Sequence, residues 1–350
     1  MIDYLIVGSG LAGISFAEIA LKNKKDILVI DNDSQNSSRI AGGLYNPVIL
    51  KRFTEVWNAA EQLQDMNEFY TSLQEKFEIT FDNKMPILRK FFSIEEQNNW
   101  FLAADKIEMS PFLSTILRFT KYNAINAPFG YGEVLHTGYV DTALLLQHYR
   151  DYLFKADLFI REEFNYSNVN FTEDGIVYDG ISAKHLIFAE GFGLHHNPFF
   201  NFLPLDGTKG ELFIIKAPLL TIDVIVNTSV FILPLGDGFF KVGATYNWKD
   251  KTDLPTAEGK EELINRIKEI IDCEFEVVQH FAGVRPTVRD RRPLVGTHDT
   301  YPQLHVLNGL GTRGVMLGPS MAKALYNHIE NKTPLPNEIN WTRFLNKLKK

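Results

Sequence analysis

The stretch DYLIVGSGLAGISFAEIALKNKKDILVIDND, residues 3–33, decides the fold of this chain of 350 residues. Its two short apolar runs, residues 4–7 and 27–30, lack the alternation of half-exposed strands and are typical of buried parallel strands. Apolar residues at helical spacing lie between the two runs. The stretch therefore predicts a strand–helix–strand unit at the start of a parallel sheet.

The turn between the first strand and the helix carries three glycines in the pattern G-x-G-x-x-G. Gly8 permits the tight turn, Gly10 lets the backbone approach a pyrophosphate, and Gly13 lets the helix lie close to the strand. The start of the helix then offers unpaired N–H groups and a positive dipole end to phosphates. We expect a dinucleotide to bind at Gly8, Gly10, Leu11, Ala12 and Gly13.

An acidic residue follows the second strand of this unit. Asp31 lies 18 residues beyond Gly13, where a carboxylate can accept hydrogen bonds from the ribose of adenosine. An acid at this position disfavours a 2′-phosphate, so FAD and NAD are favoured over NADP. The pattern alone leaves the choice between FAD and NAD open.

The composition indicates a globular protein with two closely joined domains. A chain of 350 residues is long for one core, and 45% hydrophobic with 23% charged residues is ordinary for such proteins. The net charge of −7 disfavours an extended nucleic-acid surface. Cys273 is the only cysteine, which excludes an internal disulfide and is typical of a reducing compartment. With no signal-peptide pattern and no apolar run long enough for a membrane span, we expect a cytoplasmic protein.

Helical and strand patterns alternate along the rest of the chain. Helical patterns cover residues 55–77, 141–156 (with Asp141 as the N-cap) and 256–271. Strand patterns cover residues 184–191 and 210–246, a hairpin is predicted over 169–180, and 303–329 has the pattern strand, glycine turn and helix.

This order predicts an α/β protein in which a sheet domain is inserted into a nucleotide-binding domain. We assign residues 1–80, 137–205 and 284–350 to a Rossmann-type FAD-binding domain. Residues 81–136 and 206–283 are assigned to an antiparallel-sheet domain that would bind the substrate. The choice of FAD depends on the resemblance described next.

Five blocks of sequence together resemble the D-amino-acid-oxidase-like family of FAD-dependent amine oxidoreductases. That family includes glycine oxidase, sarcosine oxidase and the FAD module of a bacterial enzyme that modifies wobble uridine in tRNA. The blocks are the glycine turn above, SSRIAGGLYNP (37–47), VGATYNW (242–248), AGVRPTVRDRRPLVG (282–296) and LNGLGTRGVMLGPSMAKAL (307–325). They follow the family's order over nearly the whole chain, and NAD-only dehydrogenases lack the last three. The resemblance implies FAD that is bound non-covalently.

The resemblance also implies flavin contacts in two further segments. The first supplies four residues at positions where the family contacts the flavin: Ser37, Ser38, Gly42 and Gly43. The second is the turn GLGTRG, with four more: Gly309, Gly311, Thr312 and Gly314. In the family this turn directs N–H groups and a helix start towards the flavin pyrimidine ring, where a positive dipole stabilises the anionic reduced flavin.

Two arginines are candidate catalytic residues. Arg285 stands in GVRP, and the resemblance implies that it binds the substrate carboxylate. A planar guanidinium can donate two parallel hydrogen bonds to a carboxylate, which fixes orientation as well as affinity. Arg313, inside the turn GLGTRG, is the second candidate, near the flavin or the substrate.

The other basic residues of the motifs have simpler explanations. Arg289, Arg291 and Arg292 surround Asp290, and local ion pairing accounts for them. Lys241 resembles a lysine that sarcosine-oxidase-like members place over flavin N5 to promote reaction with dioxygen, so it is a third candidate catalytic residue. The residues alone favour a lysine on the solvent side of a strand.

The sequence therefore predicts an FAD-dependent enzyme that oxidises the C–N bond of a small amino acid or an N-substituted glycine. Hydride would pass to flavin N5, the imine product would be hydrolysed, and dioxygen or another acceptor would take the electrons. No metal site is expected. Two alternatives remain open. One is removal of a carboxymethyl group from wobble uridine in tRNA, which GGLYNPVILKR (42–52) favours and the acidic net charge disfavours; the other is a flavin-binding subunit without turnover.

Overall fold

The computed structural model describes residues 1–345 of the chain. Over these residues it has twenty β-strands, numbered in chain order: β1 (Ile2–Val7), β2 (Ile27–Ile30), β3 (Leu44–Tyr45), β4 (Val48–Ile49), β5 (Thr54–Glu55), β6 (Asp82–Lys84), β7 (Ile87–Lys90), β8 (Tyr131–Val134), β9 (Gly138–Val140), β10 (Phe159–Ile160), β11 (Val169–Phe171), β12 (Ile176–Tyr178), β13 (Ile181–Phe188), β14 (Thr208–Lys216), β15 (Ile225–Asn227), β16 (Phe231–Gly236), β17 (Phe239–Gly243), β18 (Glu276–Arg285), β19 (Leu294–Thr297) and β20 (Leu304–Asn308). The α-helices of the same residues are α1 (Leu11–Lys22), α2 (Ser37–Ile40), α3 (Ala59–Phe77), α4 (Ile94–Ala104), α5 (Thr142–Lys155), α6 (Ala257–Lys268) and α7 (Gly314–Asn331). Short 3-10 helices cover Tyr166–Asn168, Gly191–His196 and Trp341–Phe344.

The larger sheet has eight strands and is mainly parallel. Its parallel strands lie in the order β10, β2, β1, β13, β20. One edge of β13 pairs first with β12 and further along with β20, which its length of eight residues permits. The hairpin β11–β12 and strand β19 add antiparallel pairs. The sheet confirms the predicted Rossmann-type architecture.

The strand–helix–strand unit predicted from residues 3–33 forms as β1, α1 and β2. Strands β1 and β2 pair in parallel, with Leu5 opposite Leu28. Tyr4, Leu5 and Ile6 are fully buried because helices and loops cover both faces of the central strand. This explains why the strand is a continuous apolar run rather than an alternating one.

The second sheet has seven strands in the order β18, β14, β17, β16, β15, β7, β8. All neighbours are antiparallel except β15 and β7, which pair in parallel with Val226 opposite Leu88. The predicted antiparallel sheet is therefore confirmed apart from this pair. Strand β7 comes from an earlier part of the chain, so no hairpin turn sets its direction relative to β15.

Most of the predicted helices and the predicted hairpin lie where the sequence indicated. Helix α5 begins after Asp141, whose side chain accepts a hydrogen bond of 3.0 Å from the backbone N–H of Leu144. Strands β11 and β12 form the hairpin predicted over residues 169–180. Helix α3 starts at Ala59 rather than near residue 55, because the preceding residues pair with β4 as strand β5.

A small sheet joins segments that the sequence assigned to different domains. Its three strands lie in the order β3, β9, β6, and β6 belongs to the segment 81–136 that was assigned to the substrate domain. The predicted domain boundaries thus run through a shared sheet, and their exact positions stay a prediction. Both large sheets contribute walls to the cavity described next.

Candidate active site

A cavity of about 1900 Å³ opens at the carboxyl ends of the parallel strands. Gly8 follows β1, Asp31 follows β2, Glu190 lies just beyond β13, and Gly309 follows β20; all four line the cavity. Ligands of open α/β sheets bind outside the carboxyl ends of the strands, at this kind of crevice. The topology of the sheet therefore brings the sequence-predicted nucleotide residues together.

The glycines of the turn after β1 allow close contacts between backbone segments that a side chain would prevent. Gly8 has φ +100°, and a Cβ there would lie 2.5 Å from the carbonyl oxygen of Ala189. A Cβ on Gly13 would lie 1.9 Å from the carbonyl oxygen of Gly8. Gly10 is the N-cap of α1 and has no side chain with which to cap this helix. The first turn of α1 is thus suited to bind phosphate through N–H groups.

Asp31 stabilises this turn through its carboxylate. One oxygen accepts hydrogen bonds from the backbone N–H and the hydroxyl of Ser9, at 2.5 and 2.7 Å. The other oxygen accepts the N–H of Asp33 at 2.7 Å. Asp31 also lies 3.5 Å from Arg150 and lines the cavity. Asp31 can therefore stabilise the glycine turn and also accept a hydrogen bond from a ribose. The contact with the ribose stays a prediction.

The second predicted segment lies beside the first. The hydroxyl of Ser38 accepts the N–H of Leu11 at 3.3 Å, which joins α2 to the start of α1. Gly43 has φ +72°, and a Cβ there would lie 1.9 Å from the carbonyl oxygen of Val140. The cavity is lined by all four residues predicted in this segment: Ser37, Ser38, Gly42 and Gly43.

The C-terminal glycine turn borders the cavity beside the start of α1, since a Cβ on Gly314 would lie 3.0 Å from the side chain of Leu11. Asn308 orients this turn, because its side chain accepts the N–H of Gly309 at 2.7 Å and donates to the carbonyl oxygen of Gly191 at 2.9 Å. Helix α7 begins at Gly314, and no side chain caps its start. The residues predicted in this turn line the cavity: Gly309, Gly311, Thr312 and Gly314. Two helix N-termini thus border one cavity.

Arg285 ends strand β18 and extends its side chain into the same cavity. One guanidinium nitrogen donates to the carbonyl oxygen of Thr245 at 3.3 Å, and the group lies 4.6 Å from the ring centre of Tyr246. Among residues 1–345 no carboxylate forms an ion pair with it. Burial lowers the pKa of the guanidinium, since no anion offsets the loss of water. The group is available for an anion that enters the cavity.

Arg313 is a second cavity arginine without a carboxylate partner in the described part of the chain. Its guanidinium donates to the carbonyl oxygen of Asn46 at 2.9 Å. Burial lowers its pKa to about 10, and the nearby Tyr246 raises it only in part. The two candidate arginines therefore lie around one tyrosine.

Tyr246 is a candidate that the sequence reasoning missed. It belongs to the block VGATYNW, but the sequence alone assigned its side chain no role. The ring lies against the Arg285 guanidinium, lines the cavity and is 58% exposed. Its hydroxyl can donate a hydrogen bond to an anion held by Arg285.

A buried lysine fixes the loop that carries Tyr246. Lys209 is fully buried, and its ammonium donates to Asp250 at 2.5 Å, to the hydroxyl of Thr252 at 3.2 Å and to the carbonyl oxygen of Leu254. The backbones of Lys209 and Asn247 exchange two hydrogen bonds of 2.9 Å. The loop is thereby tied to strand β14, whose alternate residues line the cavity.

Lys241 is not on the solvent side of its strand, so that expectation is wrong. Its ammonium donates to the carbonyl oxygen of Ala41 at 2.9 Å, and burial lowers its pKa. Lys241 itself is absent from the residues that line the cavity, whereas Ala41 and Gly42 line it. Antiparallel pairing with β14 and β16 turns Lys241 towards the segment 41–43, which the sequence could not show.

The three arginines around Asp290 do not pair with it through their side chains. Asp290 accepts hydrogen bonds from Arg343 at 2.8 and 3.2 Å, whereas Arg289 lies 3.6 Å from Asp206. The guanidinium of Arg292 lies over the ring of Trp57, at 5.1 Å from its centre. The predicted local ion pairing is therefore wrong, because partners distant in sequence lie closer in space.

A buried acid at the cavity wall was also missed. Glu190 is 8% exposed and accepts hydrogen bonds from the hydroxyl of Tyr166 and from Asn197, the latter at 2.8 Å. Burial raises the pKa of its carboxyl to about 7. Its position near the end of the buried strand predicted over residues 184–191 was the available signal.

The sequence model of the family described as FAD dependent oxidoreductase matches residues 3–327 of the chain. The chain belongs to this family. FAD is accordingly the cofactor of this oxidoreductase. The prediction of an FAD-dependent oxidoreductase is confirmed.

The chain is also similar to curated relatives and to solved structures. Glycine oxidase of Bacillus subtilis (strain 168) is 25% identical over 159 residues, which cover 43% of this chain and 42% of that enzyme. The bifunctional tRNA 5-methylaminomethyl-2-thiouridine biosynthesis protein of Legionella pneumophila is 22% identical over 394 residues, 98% of this chain and 57% of that protein. The crystal structure of glycine oxidase from Geobacillus kaustophilus covers 95% of both chains with a TM-score of 0.77 and 18% identity, which shows the shared fold.

The cavity residues fit FAD. The glycines at positions 8, 13 and 43 let the turns beside the cavity pack closely on neighbouring backbone, since a Cβ at each would lie within 2.5 Å of a carbonyl oxygen of the chain. The starts of helices α1 and α7 border the same cavity, one beside Asp31 and one beside Arg313. A dinucleotide with an anionic pyrophosphate and a flavin that becomes anionic on reduction matches this charge pattern. No helix within residues 1–345 is both long and apolar enough to cross a bilayer.

Proposed function

We propose that this oxidoreductase oxidises the C–N bond of a small amino acid or an N-substituted glycine. One observation carries the proposal: Arg285 lines the FAD cavity, is largely buried, and has no carboxylate partner within residues 1–345. A buried cation without a counter-ion is costly, so a site of this kind favours an anionic ligand. The relatives named glycine oxidase support an amino-acid substrate.

Arg285 binds the substrate carboxylate and orients the substrate. Two parallel hydrogen bonds from the guanidinium fix the carboxylate plane, and the hydroxyl of Tyr246 donates a third. This orientation is what directs the α-carbon hydrogen to the acceptor, and an error of about 1 Å is expected to slow the reaction severely. Bound FAD supplies the hydride acceptor. The amine reacts in its neutral form, so no side-chain base is needed, and water hydrolyses the released imine.

Lys241 acts on the segment 41–43 at the cavity wall rather than on the substrate. Its bond to the carbonyl oxygen of Ala41 positions the glycines that follow, Gly42 and Gly43, at the cavity wall. The electrons then leave to dioxygen or to another acceptor. A cytoplasmic location, which the single Cys273 favours, would give access to dioxygen and to soluble acceptors.

The test is anaerobic mixing of the FAD-loaded protein with glycine, sarcosine, other N-substituted glycines and a panel of D- and L-amino acids. Loss of the yellow flavin absorbance reports hydride transfer directly, without a choice of electron acceptor. We expect bleaching by at least one compound that carries both an amine and a carboxylate. Bleaching only by amines that lack a carboxylate would contradict the role of Arg285.

A second candidate is oxidation of a carboxymethylaminomethyl group on a tRNA wobble base. It is favoured by exposed cations at the cavity rim that form no ion pair among residues 1–345: Lys51, Arg52 and Arg291. Their positive charge suits phosphates. The same anaerobic assay with the modified nucleoside and with modified tRNA tests it; bleaching by tRNA but not by free amino acids would favour this candidate.

A further inference from the structure

Glu190 and Tyr166 form a hydrogen-bonded pair at the wall of the FAD cavity. Both residues line the cavity, and Oε1 of Glu190 contacts the hydroxyl of Tyr166. Glu190 lies beside the glycine turn of α1, because a Cβ at Gly8 would lie 3.4 Å from the Cα of Glu190. The pair is therefore next to the turn that is suited to bind the phosphates of FAD.

Asn197 determines which oxygen of Glu190 can carry a proton. The side-chain oxygen of Asn197 accepts the backbone N–H of Phe199 at 2.8 Å, so its amide nitrogen faces Glu190. That nitrogen donates to Oε2 of Glu190 at 2.8 Å. Oε2 is thus an acceptor, and a proton on this carboxyl has to lie on Oε1, where it points to the hydroxyl oxygen of Tyr166.

No cation within residues 1–345 compensates an ionised Glu190. The groups that bond to its carboxyl, Tyr166 and Asn197, are neutral at pH 7. Burial raises the pKa of the carboxyl to about 7. Other titratable side chains on the surrounding segments do not act on this pKa: Asp31, Arg150, Glu162, Glu163 and His196. Near pH 7 a large fraction of the molecules therefore has a neutral Glu190.

The protonation state of Glu190 determines what the hydroxyl of Tyr166 can bind. When Glu190 is ionised, this hydroxyl has to donate to Oε1, since a carboxylate only accepts hydrogen bonds. When Glu190 is protonated, it donates to the hydroxyl oxygen, and the hydroxyl hydrogen is free for an acceptor in the cavity. FAD carries such acceptors on its phosphates and ribose, and an ionised carboxyl near the phosphates would repel them.

We propose that protonated Glu190 and Tyr166 are part of the FAD site, and that the hydroxyl of Tyr166 donates a hydrogen bond to an oxygen of the cofactor. FAD then binds together with a proton on Glu190. Because binding raises the pKa of Glu190 above its value of about 7 in the free protein, the affinity is full below about pH 7 and falls as the pH rises above it. The inference concerns the cofactor alone and does not depend on the substrate.

Titration of the apoprotein with FAD from about pH 6 to about pH 8.5 tests the proposal by binding alone. We expect the affinity of the unmodified protein to fall at least about tenfold over this range, because each pH unit above the pKa of the free protein removes up to a factor of about ten. Calorimetry at about pH 8, in two buffers that differ in ionisation enthalpy, should show the uptake of about one proton for each FAD bound.

Substitutions separate the proton from the charge. Glu190→Gln imitates the protonated form, since its amide can accept from Asn197 and donate to Tyr166; its FAD affinity should be independent of pH, and binding should take up no proton. Tyr166→Phe removes the donor and should weaken FAD binding about three- to tenfold at about pH 6. Glu163→Gln is the matched control, because Glu163 also lines the cavity but is exposed; it should keep the pH dependence.

Four outcomes would overturn the inference. The first is an affinity of the unmodified protein that is constant over the pH range, without proton uptake. The second is the same fall with pH in Glu190→Gln, which would assign it to another group. The third is loss of FAD at every pH by folded Glu190→Gln, which would mean that the site requires the charge. The fourth is unchanged binding in Tyr166→Phe. Circular dichroism checks the folding of each variant, and if Glu190→Gln did not fold, proton uptake by the unmodified protein would decide.

Discussion

The guanidinium of Arg285 occupies the space above the backbone of Gly210. A Cβ at Gly210 would lie 2.0 Å from one terminal nitrogen of Arg285 and 2.2 Å from its central carbon. The two residues lie diagonally on the paired strands β14 and β18, since Arg285 is opposite Thr208 and Gly210 is opposite Gly283. Arg285 can therefore take this position in the cavity only because Gly210 has no side chain.

Gly210→Ala should displace Arg285 without removing it. Turnover per unit substrate, kcat/KM, should fall by about 10- to 100-fold, because a misplaced anchor no longer orients the substrate. FAD content should remain normal. Gly193→Ala is the control, since its Cβ would meet only ordinary contacts from 3.6 Å outward. Unchanged kinetics in Gly210→Ala would show that the position of Arg285 is not critical.

Arg285→Lys should keep the charge but lose the two parallel hydrogen bonds. We expect kcat/KM to fall at least about tenfold, and further in Arg285→Ala, where the carboxylate enters the cavity unpaired. Steady-state kinetics and FAD occupancy are measured on the same preparations. Loss of FAD or of folding in both variants would instead identify Arg285 as a structural residue.

Asp31→Ala should weaken FAD binding. Ribose hydrogen bonds to a carboxylate contribute about 1.5–3 kcal/mol each, which corresponds to about tenfold or more in affinity. Asp31→Asn removes the charge but keeps the size of the side chain beside Ser9, so it tests the charge alone. The control is Asp151→Asn, at an exposed position on α5. The measurement is titration of the apoprotein with FAD; an affinity equal to that of the unmodified protein would exclude the ribose contact.

Lys209→Met should destabilise the loop that carries Tyr246. Removal of the buried ammonium leaves Asp250 and the carbonyl of Leu254 without their partner, which costs about 1–3 kcal/mol because Asp250 itself is partly exposed to water. The free energy of unfolding in urea measures the effect. Lys249→Met, an exposed lysine of the same loop, should change it little. Equal stability of the two variants would contradict the role of Lys209.

Glu190→Gln should change how stability depends on pH. The folded carboxyl has its pKa raised to about 7, so between about 4.5 and 7 it holds a proton that the unfolded chain releases, and stability falls as pH rises. Glutamine does not titrate, so Glu190→Gln does not lose stability in this way. Its stability relative to the unmodified protein should therefore increase from pH 5 to about pH 8. His185, with its pKa lowered to about 4, acts in the opposite direction and is common to both proteins. If the difference in free energy of unfolding between the two proteins did not vary with pH, the raised pKa of Glu190 would be contradicted.

The sequence was most informative where structure and chemistry depend on neighbours in the chain. The turn from Gly8 to Gly13 and the N-cap Asp141 were predicted correctly because strand, glycine turn and helix start follow one another within a few residues. The family resemblance added the cofactor, since its blocks contain the residues that line the cavity.

The contacts that could not be predicted join residues distant in sequence. Lys241 meets the carbonyl of Ala41, 200 positions earlier, and Asp290 meets Arg343, 53 positions later. Neither partner has a periodic or motif-based signal, because the pairs form only when strands and loops have packed. Tyr246 was missed for the same reason: its role depends on Arg285, which approaches from another strand.

The order of the cavity segments along the chain also determines when the cofactor can bind during synthesis. A nascent chain that ends at residue 283 already contains the glycine turn of α1, but it lacks Arg285, strand β20 and the turn that begins α7. Only a chain that extends past Gly314 can thus gain the full stabilisation that FAD provides. Until that point in its synthesis the chain must do without this stabilisation, although its glycine turn is among the first segments made.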